Sequence, residues 1–262
     1  MPYPRVIPHS HGAGRVEQVG DGVSLEWVGR RVWCYGAQSY RPFGTAAEFT
    51  VVPLDHVAPL PENVSPEQGA SLGIPGITAD RCTCGRGRRG ANRVGERGYW
   101  RCRNVCGPAC ASRRGAGHRH SASPGEEAST GAAGAHEAIL NDRMLVERVR
   151  ALAPEGVDHI VEVAFGANID ADVETLKMGG SIGAYATHNA TPKIPFWLMV
   201  FKNIRLFAWE RRFPAQAKLA ATRELNDALE AGWRGFEIGS EFPWQNLHAR
   251  MNSQSILYAG DV

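Results

Sequence analysis

The sequence predicts an α/β protein, a small β-barrel followed by a doubly wound parallel sheet, and three observations carry that prediction. Up to about Leu60 the chain reads as short strands broken by Gly and Pro. From Met144 to Ala231 helices and strands alternate, the pattern of parallel βαβ units with helices on both sheet faces. Between Ile77 and Ile139 there is no Leu, Ile, Phe or Met, so the sheet is expected to be incomplete where its first units should stand.

Each element has its own signal. Arg15-Val-Glu-Gln-Val19 alternates, Gly20-Asp-Gly22 supplies a turn, and Arg31-Val-Trp-Cys-Tyr35 and Ala47-Glu-Phe-Thr-Val-Val52 follow as strands, with Pro53 and Pro61 at their edges. A helix opens at Ser65-Pro-Glu-Gln68, where Ser65 and Gln68 have the spacing of a capping box and Pro66 fits the first helical position. It runs to Gly73-Ile-Pro75, and a second element opens at Ile77-Thr-Ala79.

Beyond the gap, Met144 to Leu152 is helical by spacing and Val157 to Ala164 is a strand with Phe165-Gly166 as its exit. Asp170 to Met178 is a helix stopped by Gly179-Gly180, and Ser181 to Tyr185 is the next strand. Phe196 to Phe201 makes a short apolar helix, Asn203 to Phe207 another strand, and Pro214 to Ala231 a long helix closed by Gly232.

Composition sets bounds. The 262 residues carry a formal charge of +2, suited to neither a polyanion-binding nor an acidic chain as a whole. There is no apolar run long enough to span a bilayer, and the opening MPYPRVIPHS has no signal-peptide core. No membrane association and a cytoplasmic, thiol-reducing setting are therefore expected, in which clustered Cys suggests metal before disulfide.

The positive charge is concentrated in the gap. Arg81 to His120 holds eleven Arg and five of the six Cys. A segment without apolar side chains cannot offset its ordering entropy by burial. One reading makes it a metal- or nucleic-acid-binding insert, with Cys82, Cys84, Cys102, Cys106 and Cys110 as soft ligands and Tyr99 and Trp100 as stacking groups. The Cys spacing matches none of the common zinc patterns, and nucleic acid is the less favoured ligand. The other reading is that the segment stands in place of something else. A doubly wound sheet binds a dinucleotide at a glycine turn after its first strand, and no such strand or turn is written here.

Several pieces outside the gap carry a resemblance. His9-Ser-His-Gly-Ala-Gly-Arg-Val-Glu17, Gly20-Asp-Gly-Val23, Gly29-Arg-Arg-Val-Trp33, Gly44-Thr-Ala-Ala-Glu-Phe49 and Gly76-Ile-Thr-Ala79 resemble the medium-chain dehydrogenase/reductase superfamily. The likeness is strongest to its zinc-free NADPH:quinone oxidoreductase branch and resumes from Ala132-Ala-Gly-Ala-His-Glu-Ala138 to about Leu229. It implies a partial GroES-like barrel over residues 1–75, a Rossmann-type nucleotide-binding domain over 76–232 disrupted at 82–121, and a divergent return segment over 233–262. The family begins with strands that are not found before Met1, so an N-terminal truncation is expected.

The resemblance makes the gap testable with the genetic code. Read one nucleotide forward, Trp100 must become Gly, while Arg97 and Arg103 permit Gly, giving Gly-x-x-Gly-x-x-Gly. Asn92 to Gly95 permits Thr-Val-Leu-Val, and Gly117 to His120 permits Val-Ile-Ala-Thr, two buried strands around a turn and a helix. A frame-shifted segment at about 82–121 is the expectation.

The resemblance also implies the chemistry. The branch lacks zinc, and Ser10, His11 and Ile74 stand where zinc-dependent members carry ligands, so no metal is expected. The cofactor is NADPH and the substrate a small quinone or enone. Thr78, Ala164, Phe165, Gly166, Tyr185 and Thr187 match the family's nicotinamide-binding positions, and Tyr35, Gln38, Tyr40 and Phe43 its substrate cleft. Asn141-Asp142 replaces a pair that lies beside the adenosine phosphate. No catalytic acid is identified, because quinone reduction can take its proton from water. The strand at Asn203 to Phe207 implies an edge-to-edge homodimer. Activity of this chain is expected to be impaired, an inactive remnant being the alternative.

Overall fold

The fold was read from a computed structural model. It describes residues 3–39, 41–84, 93–95, 117–121, 137–208, 214–233, 235, 236 and 238. The chain divides into two compact units, Met1–Ile77 with Thr222–Val262, and Thr78–Ala221.

The first unit is built on a three-stranded antiparallel sheet, β1 (Gly12–Arg15), β2 (Arg31–Cys34) and β3 (Val57–Pro59), in that order. β2 is where alternation placed it. β1 lies earlier than the expected Arg15–Val19 strand; Val16 still bonds Arg30 and Gly29, two residues facing one, and regular pairing ends there. Ala47–Val52 is not a strand. Phe49 and Val51 are exposed, and the Val51 carbonyl accepts from the Arg41 guanidinium at 2.9 Å, so a side chain takes the place of a neighbouring strand.

Trp33 is fully buried, and its indole N–H donates to Asn226 Oδ1 at 3.0 Å. The Asn226 amide donates in turn to the Pro59 carbonyl at 2.8 Å, which ties the last helix to the sheet. Leu60, Val64, Leu72, Ile77, Leu225, Leu229 and Phe236 complete this core.

Helix α1 (Pro66–Cys84) begins with the capping box that the sequence signals. The Gln68 N–H donates to Ser65 Oγ at 3.2 Å and the Ser65 N–H to Gln68 Oε1 at 3.0 Å, satisfying two otherwise orphaned donors. It does not stop at Gly73. A single helix runs through Pro75, which gives up one ladder bond. The glycine that reads as a stop is a packing device, for a Cβ at Gly73 would lie 2.2 Å from the His11 Cβ.

The second unit carries a six-stranded, all-parallel sheet. Its strands are β4 (Arg93–Gly95), β5 (Gly117–Ser121), β6 (Glu137–Leu140), β7 (Val157–Glu162), β8 (Leu176–Ala184) and β9 (Arg205–Ala208). The order β6-β5-β4-β7-β8-β9 reverses direction between β4 and β7, as in a Rossmann-type doubly wound fold.

β4 and β5 come from the gap itself, where the sheet was expected to be incomplete. Val94 pairs with His118 on one side and Ile160 on the other. Strand pairing is a main-chain interaction, and the edges of β6 and β7 each offer a row of N–H and C=O groups that accept a backbone of any sequence. The sheet thus has six strands, although β4 is only three residues long.

Helices α2 (Leu145–Leu152), α3 (Phe165–Thr175) and α4 (Phe196–Phe201) follow the strands, and α5 (Ala215–Glu230) ends at Gly232, whose φ of 98° needs glycine. α3 starts at Phe165, earlier than expected, and β8 takes over at Leu176, so residues 176–178 are in a strand rather than helical. Lys202 explains the early stop. Its ammonium donates to the carbonyls of Val173, Glu174 and Leu176 at 2.7, 3.0 and 2.8 Å, capping the end of α3. β8 then joins β7 at Leu176 opposite Val157, with a bulge before Ser181 meets His159.

The core of this unit comprises Ile139, Leu145, Val149, Val157, Ile160, Phe165, Ile169, Val173, Leu176 and Ile182, together with Ala153 and Ala184. Among the described residues every member of this cluster lies beyond the gap.

Candidate functional site

A parallel sheet of this kind offers its ligand site outside the C-terminal strand ends, next to the point where strand order reverses. β7 is the strand at that point, and β8 is its neighbour. Their exits carry five of the residues singled out from sequence.

The two exits are hydrogen-bonded to each other. The Tyr185 N–H donates to the Glu162 carbonyl at 3.1 Å and the Phe165 N–H to the Ala186 carbonyl at 3.2 Å. The Gly166 N–H donates to Thr187 Oγ1 at 3.2 Å, and that hydroxyl donates to the Asn189 carbonyl at 3.2 Å. A Cβ on Gly166 would lie 2.9 Å from Thr187 Oγ1, so glycine is needed for this approach. Ala164 precedes the first turn of α3, Phe165 is buried, and Thr187 is exposed. Ala164, Phe165, Gly166, Tyr185 and Thr187 therefore form one continuous strand-end platform.

Glu162, at the end of β7, is the residue that sequence reasoning missed. It is fully buried, its carboxylate accepts from the Ala164 N–H, and Asn168 Nδ2 donates to it at 3.2 Å. A buried carboxylate is retained only where donors meet it, and here those donors define the turn beneath the platform. The signal was a Glu at the last position of an apolar strand. His159, also missed, is buried between Ser181 Oγ at 2.8 Å and the Cys82 carbonyl at 2.6 Å.

Thr78 lies in α1, half-buried, within the same unit. Tyr35 and Gln38 belong to the other unit, and Tyr40 lies outside the described residues. Tyr35 is buried with its hydroxyl donating to the Asp55 carbonyl at 2.5 Å, and burial, aided by the Asp55 charge, pushes its pKa up to about 12. The hydroxyl thus stays protonated and structural at neutral pH. Gln38 is half-buried and Phe43 exposed. Burial likewise raises the Cys34 thiol, partly offset by a bond from Gly12.

The adenosine end departs from expectation in one respect. Asp142 is engaged by Arg148 in a bidentate pair with both distances 3.0 Å and caps Met144 at 2.8 Å. The Met144 N–H and then Arg148 hold its carboxyl below the usual range. Asp142 is thus a helix-capping group at the start of α2.

The strand order and the two exits fit the nicotinamide half of a dinucleotide. The phosphate half does not fit the residues written after β4, Glu96-Arg-Gly-Tyr-Trp-Arg-Cys102, which hold no glycine turn and lie outside the described residues. Among the described residues no group of three His, Cys, Asp or Glu is placed to hold a metal, and no helix is long and apolar enough to cross a membrane.

No family profile matches the chain. Individual proteins do. The rat quinone oxidoreductase is 30% identical over 260 residues, covering 93% of this chain and 73% of that protein. The mouse and human quinone oxidoreductases are 29% and 27% identical over similar spans. Among solved structures, the Escherichia coli quinone oxidoreductase complexed with NADPH superposes with a TM-score of 0.76 at 17% identity, over 97% of this chain and 79% of the other. An NAD-dependent alcohol dehydrogenase reaches 0.85 at 19% identity, over 100% of this chain and 82% of the other. With the strand order and the rat, mouse and human relatives in agreement, the chain belongs to the quinone oxidoreductase branch of the medium-chain dehydrogenase/reductase superfamily.

Proposed function

We propose that this chain descends from an NADPH-dependent reductase of small quinones or enones and retains half of that enzyme's cofactor site. The observation that carries the reading is the hydrogen-bonded platform of Ala164, Phe165, Gly166, Tyr185 and Thr187 at the strand-order reversal. When bound, the nicotinamide supplies a hydride to the acceptor. Ala164, Phe165, Gly166, Tyr185 and Thr187 would hold the ring and its ribose, on a surface where the N–H groups of the first four are already bonded within the protein, and Thr78 would meet the carboxamide. On the substrate side the reading assigns Tyr35, Gln38 and Tyr40, of which Tyr35 is held by its hydroxyl on the Asp55 carbonyl.

The phosphate-binding half is missing from the chain as written, so activity is impaired. Titration of the purified chain with NADPH, followed by cofactor fluorescence, tests this. Weak or undetectable binding, with no reduction of a simple para-benzoquinone, is the expected result. Tight binding contradicts it.

The domain assignment of this reading is a substrate-binding barrel over 1–75 and a nucleotide-binding domain over 76–232, in a cytoplasmic protein. The homodimer belongs to it too. β9 ends the sheet order, and among the described residues no strand pairs with its outer edge. Beside it in the chain α4 exposes Phe196, Trp197, Val200 and Phe201. Sedimentation should show a dimer, and Leu206→Pro, which disrupts β9 at the end of the sheet, should give monomers.

A further inference from the structure

We infer that residues 82–121 are an out-of-frame reading of a strand, turn, helix and second strand, and that the coding DNA still holds the dinucleotide phosphate site this chain lacks. The inference rests on the reductase reading above, and it adds where that enzyme's missing half is stored.

The structure supplies the first argument. Strand β4 occupies 93–95 and β5 occupies 117–121. Read one nucleotide forward, the stretches that permit apolar strands are 92–95 and 117–120. The backbone thus forms strands on the same residues where the shifted frame can encode Val-Leu-Val and Val-Ile-Ala. In the written frame neither stretch has a strand-forming sequence, since Arg93-Val-Gly95 and Gly117-His-Arg-His-Ser121 hold one Val between them.

The second argument is the composition of the gap. Every Arg, Gly, Cys and Trp codon has G in its second position. Shifted forward, that G becomes the first base, and codons beginning with G specify only Val, Ala, Asp, Glu and Gly. An Arg, Gly and Cys-rich stretch is therefore what a strand and glycine turn rich in Val, Ala and Gly becomes when misread.

Two outcomes are forced rather than permitted. A Cys codon, TGT or TGC, always shifts to Val or Ala, so Cys82, Cys84, Cys102, Cys106 and Cys110 all become small apolar residues. A Trp codon always shifts to Gly, at position 100. Cys102, inside the proposed turn, then stands as Val or Ala between glycines at 100 and 103, small enough for a backbone to approach a pyrophosphate. The absence of Leu, Ile, Phe and Met within 82–121 has the same origin, because their codons carry T in the second position.

A stop-free shifted frame is no evidence, since only Val94 among these codons can shift to a stop. The test is instead the sequence of the encoding DNA at codons left free by the protein sequence. The proposal expects Gly in the shifted frame at Arg97 and Arg103, and Val or Leu at Arg93, Val94 and Gly95. It also expects a one-nucleotide change near Asp80 to Cys82, with compensation near Ser121 to Ser123. Val, Ala or Glu at the shifted 97 or 103 position overturns it, whatever the standing of the reductase reading.

Expression of the frame-restored chain separates the two claims. NADPH should bind about a hundredfold tighter than to the chain as written, from two backbone donors to the pyrophosphate worth roughly tenfold each. Shifted glycines without that gain overturn the stored-site inference and leave the family assignment intact. Equal, tight binding by both chains overturns the inference and the impaired-activity reading together.

Discussion

The imidazole of His159 on β7 joins the Cys82 carbonyl at the end of α1 at 2.6 Å, and its other nitrogen meets Ser181 Oγ on β8 at 2.8 Å. One ring thereby ties the end of α1, inside the gap, to two strands beyond it. The carbonyl can only accept, so Nε2 carries the proton and Nδ1 accepts from the Ser181 hydroxyl. A His159→Phe change keeps a ring in the space and removes the imidazole's bonds to the Ser181 hydroxyl and the Cys82 carbonyl, which costs about 1–3 kcal/mol. Urea unfolding of the two proteins should show that loss, while Ser181→Ala, which removes one bond only, costs about half as much.

Glu162 and Asn168 set the turn below the platform. Asn168→Ala removes a donor from a fully buried carboxylate and should lower stability by about 1–3 kcal/mol. Glu162→Gln keeps an acceptor for the Ala164 N–H and should cost less than Glu162→Ala. Hydrogen exchange at the Ala164 amide distinguishes them, because only Glu162→Ala exposes that N–H.

Lys202 should be more sensitive than an ordinary surface lysine. It closes three carbonyls at the end of α3, although burial, with Arg150 nearby, pushes its pKa down. Lys202→Met keeps the apolar stem and loses the donors, and a loss of about 1–2 kcal/mol in thermal or urea unfolding is expected. Lys202→Arg should recover only part of it, since a planar guanidinium does not replace a three-pronged ammonium.

Tyr35 gives a pH signature. Its folded pKa of about 12 lies above the ordinary value of 10.0, because the buried phenol favours its neutral form. Between pH 10.0 and about 12 the unfolded chain has lost the proton and the folded chain keeps it, so stability falls as pH rises, by at most about 1.4 kcal/mol per unit. This contribution is fully present below pH 10.0. Tyr35→Phe should remove that part of the slope, measured by urea unfolding across the alkaline range.

Much of the fold was legible because its signals are local. The Ser65 and Gln68 capping box, the Gly232 stop and the β7 strand each depend on a few neighbouring residues. Elements decided by distant partners were not legible. In the expected Ala47–Val52 strand the Val51 carbonyl is taken by Arg41, and α3 ended early because Lys202, many residues later, caps it. Of the candidate site, the strand exits were readable from position, but Glu162 and His159 were not, since burial of a polar side chain depends on which partners the fold brings to it.

The short strand β4 is held by main-chain bonds to β5 and β7. The strand order of this sheet is therefore insensitive to which side chains β4 carries. A survey that recognises enzymes by architecture would count this chain among working reductases, while a survey by family profile passes over it. Degraded or misread copies of dinucleotide-binding proteins should accumulate in the difference between two such surveys, and that difference is a practical place to look for them.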